Sequence, residues 1–334
     1  MDQSALLELI KTDRYDFLRK HENLGGNILI LTVAGSHAYG TSMASSDIDL
    51  RGVTVETRRD VLGLSFFEQF EERETDTVVY GLKKFVGLCL ECNPNMMELL
   101  GTDEEQCAIL TEEGRLLRRN ASLFLSKRAI HSFGNYATAQ LHRLQNALAR
   151  DAQDQAEAEE HILHRVQSQM DHLSRSFPAL TGGKLKLYQD QSNKPDMESE
   201  IFMDVELAHF PLRDFKTVYH GLSAVVRDYA AINHRNNKRD LPHLFKHAMH
   251  LLRLLATGTD ILAGRGIVTH RAHEQELFLS IRKGELSFEK IFEQVDVFEE
   301  KFRQAAEQTV LPEQPDTKAV EEMLIEIYQK RLKI

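Results

Sequence analysis

The sequence predicts an α+β protein, with a small mixed-sheet domain at residues 1–102 and a larger, mostly helical domain at residues 103–334. Three observations carry this. The chain has 334 residues, a length that suits two domains. Through the first hundred residues, apolar runs of strand length alternate with amphipathic stretches. From about Glu104 onward, apolar residues recur with helical period and strand signals become few.

Ala5 to His21 reads as an amphipathic helix. Asn27 to Ala34 (NILILTVA) is a largely apolar run, long enough for a buried strand and short for a helix. Ile48 to Val55 alternates and is rich in β-branched residues, which predicts a second strand, and Thr75 to Tyr80 is a third. Gly81 to Glu91 has helical spacing, and Asn93-Pro94-Asn95 is a breaker with capping residues. Helical period then runs through Glu112 to Arg150, Ala156 to Ser176, Leu212 to Ile232, Leu244 to Ala263, Phe288 to Ala306 and Thr317 to Leu332. A Gly182-Gly183 pair and a polar segment interrupt it between Thr181 and Asp204.

Composition narrows the function. Hydrophobic residues are 42% and charged residues 28%, the balance of a folded globular protein and of neither a disordered nor a collagenous chain. No apolar run approaches the roughly 18 to 20 residues a membrane span needs, and Met1-Asp2-Gln3 opens no basic leader, so neither a signal peptide nor an anchor is expected. Three cysteines, Cys89, Cys92 and Cys107, cannot all pair within the chain, and a reducing cytoplasm is the simplest compartment. The net charge of −10 excludes a generic cationic DNA coat protein. Positive charge is local: Arg227 to Glu285 holds ten Lys or Arg against six Asp or Glu, and six His.

The most informative stretch is VAGSHAYGTSMASSDIDLRG, Val33 to Gly52. A buried strand runs into Gly35-Ser36, and Asp47-Ile48-Asp49 begins the next strand. On a strand, residues two apart share a face, so Asp47 and Asp49 would aim two carboxylates at one spot. Like charges so close need a positive partner, and Mg²⁺, which shares hard oxygen ligands with nucleotide phosphates, is the natural one. Gly35 would let the backbone approach a ligand closely. Ser36 would offer its hydroxyl and backbone N–H groups to a phosphate. Alone, Asp-x-Asp would read as a solvated strand end; following a strand and Gly-Ser, it is far more specific. Arg51 alternates with Asp49 and shares its strand face, where it would buffer the carboxylates or touch phosphate.

Gly-Ser followed by Asp-x-Asp resembles the signature of the DNA polymerase β-like nucleotidyltransferases. GSHAYGTSMASSDIDLRGV is similar to one branch, the RlaP/YcgL-type nucleotidyltransferases associated with RNA repair. The resemblance continues through DTVVYGLKKFVGLCLECNPNMMELL (Asp76 to Leu100), FKHAMHLLRLL (Phe245 to Leu255), IRKGELS (Ile281 to Ser287) and LPEQPD (Leu311 to Asp316). His37 stands where the branch more often carries Arg.

That resemblance implies transfer of a nucleoside monophosphate from a nucleoside triphosphate, with two Mg²⁺ ions, or Mn²⁺ in their place. It implies an RNA end as acceptor and a third metal-binding carboxylate on a neighbouring strand. Asp76 matches best; Glu68, Glu71, Glu72 and Glu74 are rivals whose cluster reads otherwise as a solvated acidic loop. Asp47, Asp49 and Asp76 are thus the candidate metal ligands and catalytic residues. Gly35, Ser36, His37, Arg51, Lys83 and Lys84 are the candidate nucleotide contacts, the two lysines reading equally as helix-surface residues.

Arg235, Lys238, Arg239, Lys246, His250 and Arg253 form the candidate acceptor surface, with Tyr136 and Gln140 lining the same cleft or packing in the core. His243, His247 and His250 have helical spacing, and Cys89-x-x-Cys92 is half of a zinc pattern without a second half; both read as helix or core residues. Two rivals remain: transfer of AMP to a protein hydroxyl, and an RNA-cleaving module of the HEPN type, for which Arg227 and His234 supply an Arg-x₆-His spacing.

Overall fold

A computed structural model describes residues 3–43, 46–151, 185–191, 199–207, 209–233 and 241–333. By packing, the chain divides into two compact units, residues 1–142 with 242–334, and residues 143–241.

The larger unit is built on a five-stranded mixed sheet of order β3-β4-β2-β1-β5. Its strands are β1 (Ile28–Val33), β2 (Leu50–Thr54), β3 (Gln69–Glu72), β4 (Thr77–Gly81) and β5 (Cys107–Leu110). All six residues of β1 are buried, as its unbroken apolar run predicts. β1 runs antiparallel to both β2 and β5, with Val33 opposite Leu50 and Leu31 opposite Gly52. β2 runs parallel to β4, and β3 is antiparallel to β4. This topology gathers the C-terminal end of β1 and the N-terminal ends of β2 and β4 at one end of the sheet.

One face of the sheet packs on α1 (Gln3–Lys11), a 3₁₀ turn at Asp13–Tyr15 and α2 (Phe17–Lys20). Leu6, Tyr15, Leu18, Leu24, Leu31, Val33, Leu50 and Val79 form that core. The sequence predicts one helix over this segment; the 3₁₀ turn divides it so that Tyr15 and Leu18 both reach the sheet. A short turn of helix, α3 (Gly35–Ala38), follows β1, and α4 (Arg58–Leu62) follows β2. α5 (Leu82–Leu90) packs on β2 and β4, and α6 (Pro94–Gly101) packs on α5. The Asn93 side chain accepts the Asn95 N–H, and Pro94 opens α6, as the breaker signal predicts.

α7 (Glu112–Arg119) and α8 (Arg128–Asp151) replace the single helix expected over 112–150; the chain breaks at Asn120 and passes through a 3₁₀ turn at Ala121–Phe124. The later helices of this unit are α10 (Leu241–Leu262), α11 (Gln275–Arg282), α12 (Phe288–Gln308) and α13 (Thr317–Leu332).

In the smaller unit, β6 (Leu185–Gln191) and β7 (Ser199–Val205) form an antiparallel hairpin, and α9 (Leu212–Asn233) buries Val218 against Leu207, Phe210 and Leu222. The helix expected over Ala156 to Ser176 lies outside the described residues. No helix among the described residues is long and apolar enough to cross a membrane.

Candidate active site

The converging strand ends carry the motif residues. Gly35, Ser36 and His37 follow β1; Asp47 and Asp49 precede β2; Asp76 precedes β4. The ladder continues into these residues. The Ala34 N–H donates to the Asp49 carbonyl at 2.9 Å, and the Leu50 N–H donates to the Asp76 carbonyl at 3.2 Å. The two aspartates are therefore anchored by their backbones on adjacent strands. Asp76 sits in a turn at φ +43°, a left-handed conformation Asp tolerates better than most residues. The expected strand from Thr75 thus begins at Thr77 instead.

Gly35 is held at φ +57°, and a Cβ there would lie 2.7 Å from Asp49 Oδ2. The missing side chain makes room for the Asp49 carboxylate, a different reason from the approach to a ligand that the sequence suggests. The Gly35 N–H is also taken: it donates to Glu98 Oε1 at 2.7 Å. Glu98, on α6, is only 8% exposed. Its other oxygen accepts from Arg253 on α10 at 3.3 Å.

The site is electrostatically tense. Burial, and then the adjacent Asp76 carboxyl with which it shares a hydrogen bond, push Asp49 up to about 6, against the pull of Arg51 and Lys246. Burial also acts to raise Asp76, but the hydrogen bond from Asp49 and the charge of Arg51 outweigh it and hold Asp76 below the usual carboxylate range. The Arg51 guanidinium donates to the Asp76 carbonyl at 2.5 Å and to its Oδ1 at 3.0 Å. Arg51 thus pairs with Asp76, just before the neighbouring strand β4. Asp47 is exposed and lies before the first residue of β2, so the strand face that the sequence would have Asp47 share with Asp49 is not formed.

A cleft of about 130 Å³ opens here, lined among others by Gly35, Asp49, Arg51, Asn95, Glu98 and Arg253. From α10, Lys246 reaches both carboxylates electrostatically. One turn on, His250 Nδ1 lies 2.8 Å from Arg253, and its ring meets the edge of Tyr136 at 6.1 Å. Burial, with Arg253, His247 and Lys246 nearby, keeps His250 well below its usual pKa, and so neutral. Gln140 is buried, and its Oε1 has no hydrogen-bond partner among the described residues. The His37 ring nitrogens are likewise buried without partners among the described residues, and burial lowers its pKa.

Several expected contacts fall elsewhere. Lys83 and Lys84 follow the C-terminal end of β4, at the opposite end of the sheet from Asp76; five strand residues at ~3.3 Å each separate them by about 16 Å. Lys84 pairs there with Glu68 at 2.9 Å. The structure does not bring these lysines to the carboxylates. Arg253 is no surface cation: it is 6% exposed, and its guanidinium stacks 3.6 Å over the Tyr39 ring. Its neighbours Leu251, Leu252, Leu254 and Leu255 are buried too, because this part of α10 faces inward on several sides. Glu71 and Glu72 lie on β3, a charged edge strand of the kind that resists pairing with other chains, and not in an acidic loop. Arg235, Lys238, Arg239 and His234 lie outside the described residues, as does the Arg227 side chain. Cys89, Cys92 and Cys107 are buried thiols that form no disulfide among the described residues.

Sequence reasoning missed Glu98 and Tyr39. The signal for Glu98 was present: it is the one charged residue in the apolar run Met96-Met97-Glu98-Leu99-Leu100.

A divalent cation fits the donors at this end. A cation would relieve the repulsion between the Asp49 and Asp76 carboxylates. Among the described residues, no group of three or more His, Cys, Asp or Glu side chains is spaced to hold a metal. Mg²⁺ typically needs only one or two carboxylates, with substrate phosphates and water completing its shell.

The profile of the family described as "RlaP: RNA repair pathway DNA polymerase beta family" matches residues 9–175, half of the chain. The match takes in Gly35, Asp47, Asp49, Asp76 and Glu98, and ends before α10. No curated protein matches the chain.

Proposed function

The chain belongs to the RlaP family of RNA repair pathway, DNA polymerase β-like proteins, and on that premise we propose a Mg²⁺-dependent nucleotidyltransferase that moves a nucleoside monophosphate from a nucleoside triphosphate to a hydroxyl at an RNA end. The observation that carries this reading is the Asp49–Asp76 carboxylate pair, with Arg51 and Lys246 near both carboxylates and with Asp49 and Arg51 lining one cleft. Asp47 and Asp49 would hold two Mg²⁺ ions, or Mn²⁺, and Asp76 one of them. When bound, the ions lower the pKa of the attacking hydroxyl and neutralise the departing charge.

The protein's own groups do the rest. Asp76, kept ionised by Arg51, accepts the hydroxyl proton at its carboxylate. The hydroxyl oxygen bonds to the α-phosphorus, the bond from that phosphorus to the β-phosphate bridging oxygen breaks, and pyrophosphate leaves. Ser36, half-buried after β1, would offer its hydroxyl to the β- and γ-phosphates, and a bound phosphate would reach His37 only if its buried ring turned outward. Arg51 and Lys246 would balance the charge of the phosphates. Lys246, with Arg235, Lys238 and Arg239, would guide the RNA, while the neutral His250 would not. A cytoplasmic compartment, where thiols stay reduced, suits three cysteines that form no disulfide among the described residues.

Labelled nucleoside triphosphates, offered separately with RNA and with cell protein, test the reading. Mg²⁺-dependent label in RNA, lost in Asp49→Ala, supports it. Label in protein alone would move the acceptor to a protein hydroxyl, and no label in either would contradict nucleotidyl transfer.

A further inference from the structure

Glu98 sits where nothing above gives it a chemical role, yet it touches the two parts of the site that must agree in position. Its Oε1 accepts the Gly35 N–H at 2.7 Å, and its Oε2 accepts from Arg253 at 3.3 Å. A buried carboxylate is costly unless paired and hydrogen-bonded, and Glu98 meets both conditions with these two partners. Arg253 is fixed in turn by the Tyr39 ring at 3.6 Å and by His250 Nδ1 at 2.8 Å. On the other side of Gly35 stands Asp49, whose Oδ2 occupies the space a Cβ would fill.

We propose that Glu98 is a positioning residue: it holds the turn after β1 against Asp49, and through Arg253 it fixes that turn to α10, the helix that carries Lys246 and His250. This deepens the nucleotidyltransferase reading and rests on it for the catalytic consequence alone. The turn is otherwise weakly determined. Gly35 is the residue of widest backbone freedom, and α3 is a single turn with no side-chain cap. Without Glu98, Gly35 would be free to leave the left-handed region, and the wall against which Asp49 rests would move. Asp49 would keep its charge and lose its fixed direction. A displacement of about 1 Å at a reacting group costs on the order of 10²-fold in rate.

Removing Glu98 alone would strand a buried guanidinium, so the test is made in the Arg253→Met background. Three proteins are compared: Arg253→Met, Glu98→Leu/Arg253→Met and Glu98→Gln/Arg253→Met. Two quantities are read: hydrogen exchange of the Gly35 amide, and kcat with KM for the nucleoside triphosphate. Glu98→Leu should speed Gly35 exchange at least about tenfold and lower kcat by about 10²-fold relative to Arg253→Met, with KM nearly unchanged. Glu98→Gln, whose amide oxygen still accepts the Gly35 N–H, should restore both. Equal Gly35 exchange in all three proteins would overturn the proposal, as would faster exchange with no change in kcat. A wild type that transfers no nucleotide counts against the nucleotidyltransferase reading instead, and Gly35 exchange still decides whether Glu98 holds the turn.

Discussion

At one end of the five-stranded sheet, Glu56 is buried and accepts hydrogen bonds from the Lys83 N–H at 3.0 Å and the Tyr328 hydroxyl at 2.5 Å. At the other end, Asp49 is half-buried and faces a second carboxylate. The first end is closed by α13. Its last turns send Tyr328 to Glu56, Lys330 to Glu113 at 3.0 Å, and Arg331 to the Gly26 carbonyl at 2.8 Å. Each carboxylate there has a donor or a cation. At the motif end two carboxyl groups face one another, and burial with the neighbouring Asp76 carboxyl pushes Asp49 up. The same sheet thus pairs buried carboxylates at one end and sets a half-buried carboxylate against an exposed one at the other. A group strained by its neighbours is a candidate for function, and a group satisfied by them is a candidate for stability.

The largest expected effect separates the two ends by activity. Asp49→Ala should lower nucleotidyl transfer by more than about 10³-fold, over ~4 kcal/mol in the barrier, while the protein stays folded. Glu56→Ala should do the reverse. It strands the Lys83 N–H and the Tyr328 hydroxyl and should cost about 2–4 kcal/mol in urea unfolding, with transfer per folded molecule within about twofold of wild type. If the two variants fail in the same way, the division between the ends is wrong.

A smaller effect has opposite sign at the two ends. Asp49 is raised in the folded state, so its protonated form favours folding. That contribution is complete below the usual carboxylate range and is lost as pH rises through about 6. In chelator-treated protein, Asp49→Asn should therefore raise Tm, and more at pH 8 than at pH 5. Glu113 is lowered: burial opposes this, but its own backbone N–H, Lys330 and Thr111 outweigh burial. Its contribution is present above the unfolded carboxylate range and is lost as pH falls through its folded value. Glu113→Gln should flatten the acid side of the stability profile and leave the neutral side lower than wild type. Thermal scans across pH check both signs.

The sequence showed the motif end better than the closed end, for a physical reason. Gly35, Asp47 and Asp49 break an apolar pattern, and a polar group where a core should continue is visible in one dimension. Asp76 became visible only through the resemblance to a family, because a turn residue before a strand carries no pattern of its own. Glu56 and Tyr328 are 272 residues apart and meet only through the packing of α13, so no spacing reveals them. Periodicity made Lys83 and Lys84 helical but could not say that α5 starts at the far end of the sheet. It likewise gave Arg253 a helix without giving that helix its buried surroundings. The short strands Gln69–Glu72 and Cys107–Leu110 are below the length at which alternation can be read, and the hairpin at 185–205 is masked by polar residues on an exposed pair of strands.

The least of the expected effects tests the corrected position of the lysines. Lys84→Ala breaks an ion pair with Glu68 at the closed end, where a half-exposed pair contributes at most about 1 kcal/mol. Affinity for Mg²⁺-nucleoside triphosphate should change by less than about twofold. Lys246→Ala, which removes a cation near both aspartates, should weaken that affinity several-fold. The reverse order would return the triphosphate to α5.

Mn²⁺ binding followed by electron paramagnetic resonance, with and without ATP, tests the carboxylate pair most directly. Wild type should bind Mn²⁺ more tightly when ATP is present, and Asp49→Asn and Asp76→Asn should each weaken that binding at least about tenfold. Wild-type Mn²⁺ affinity in both variants would contradict a metal–nucleotide site at this end of the sheet.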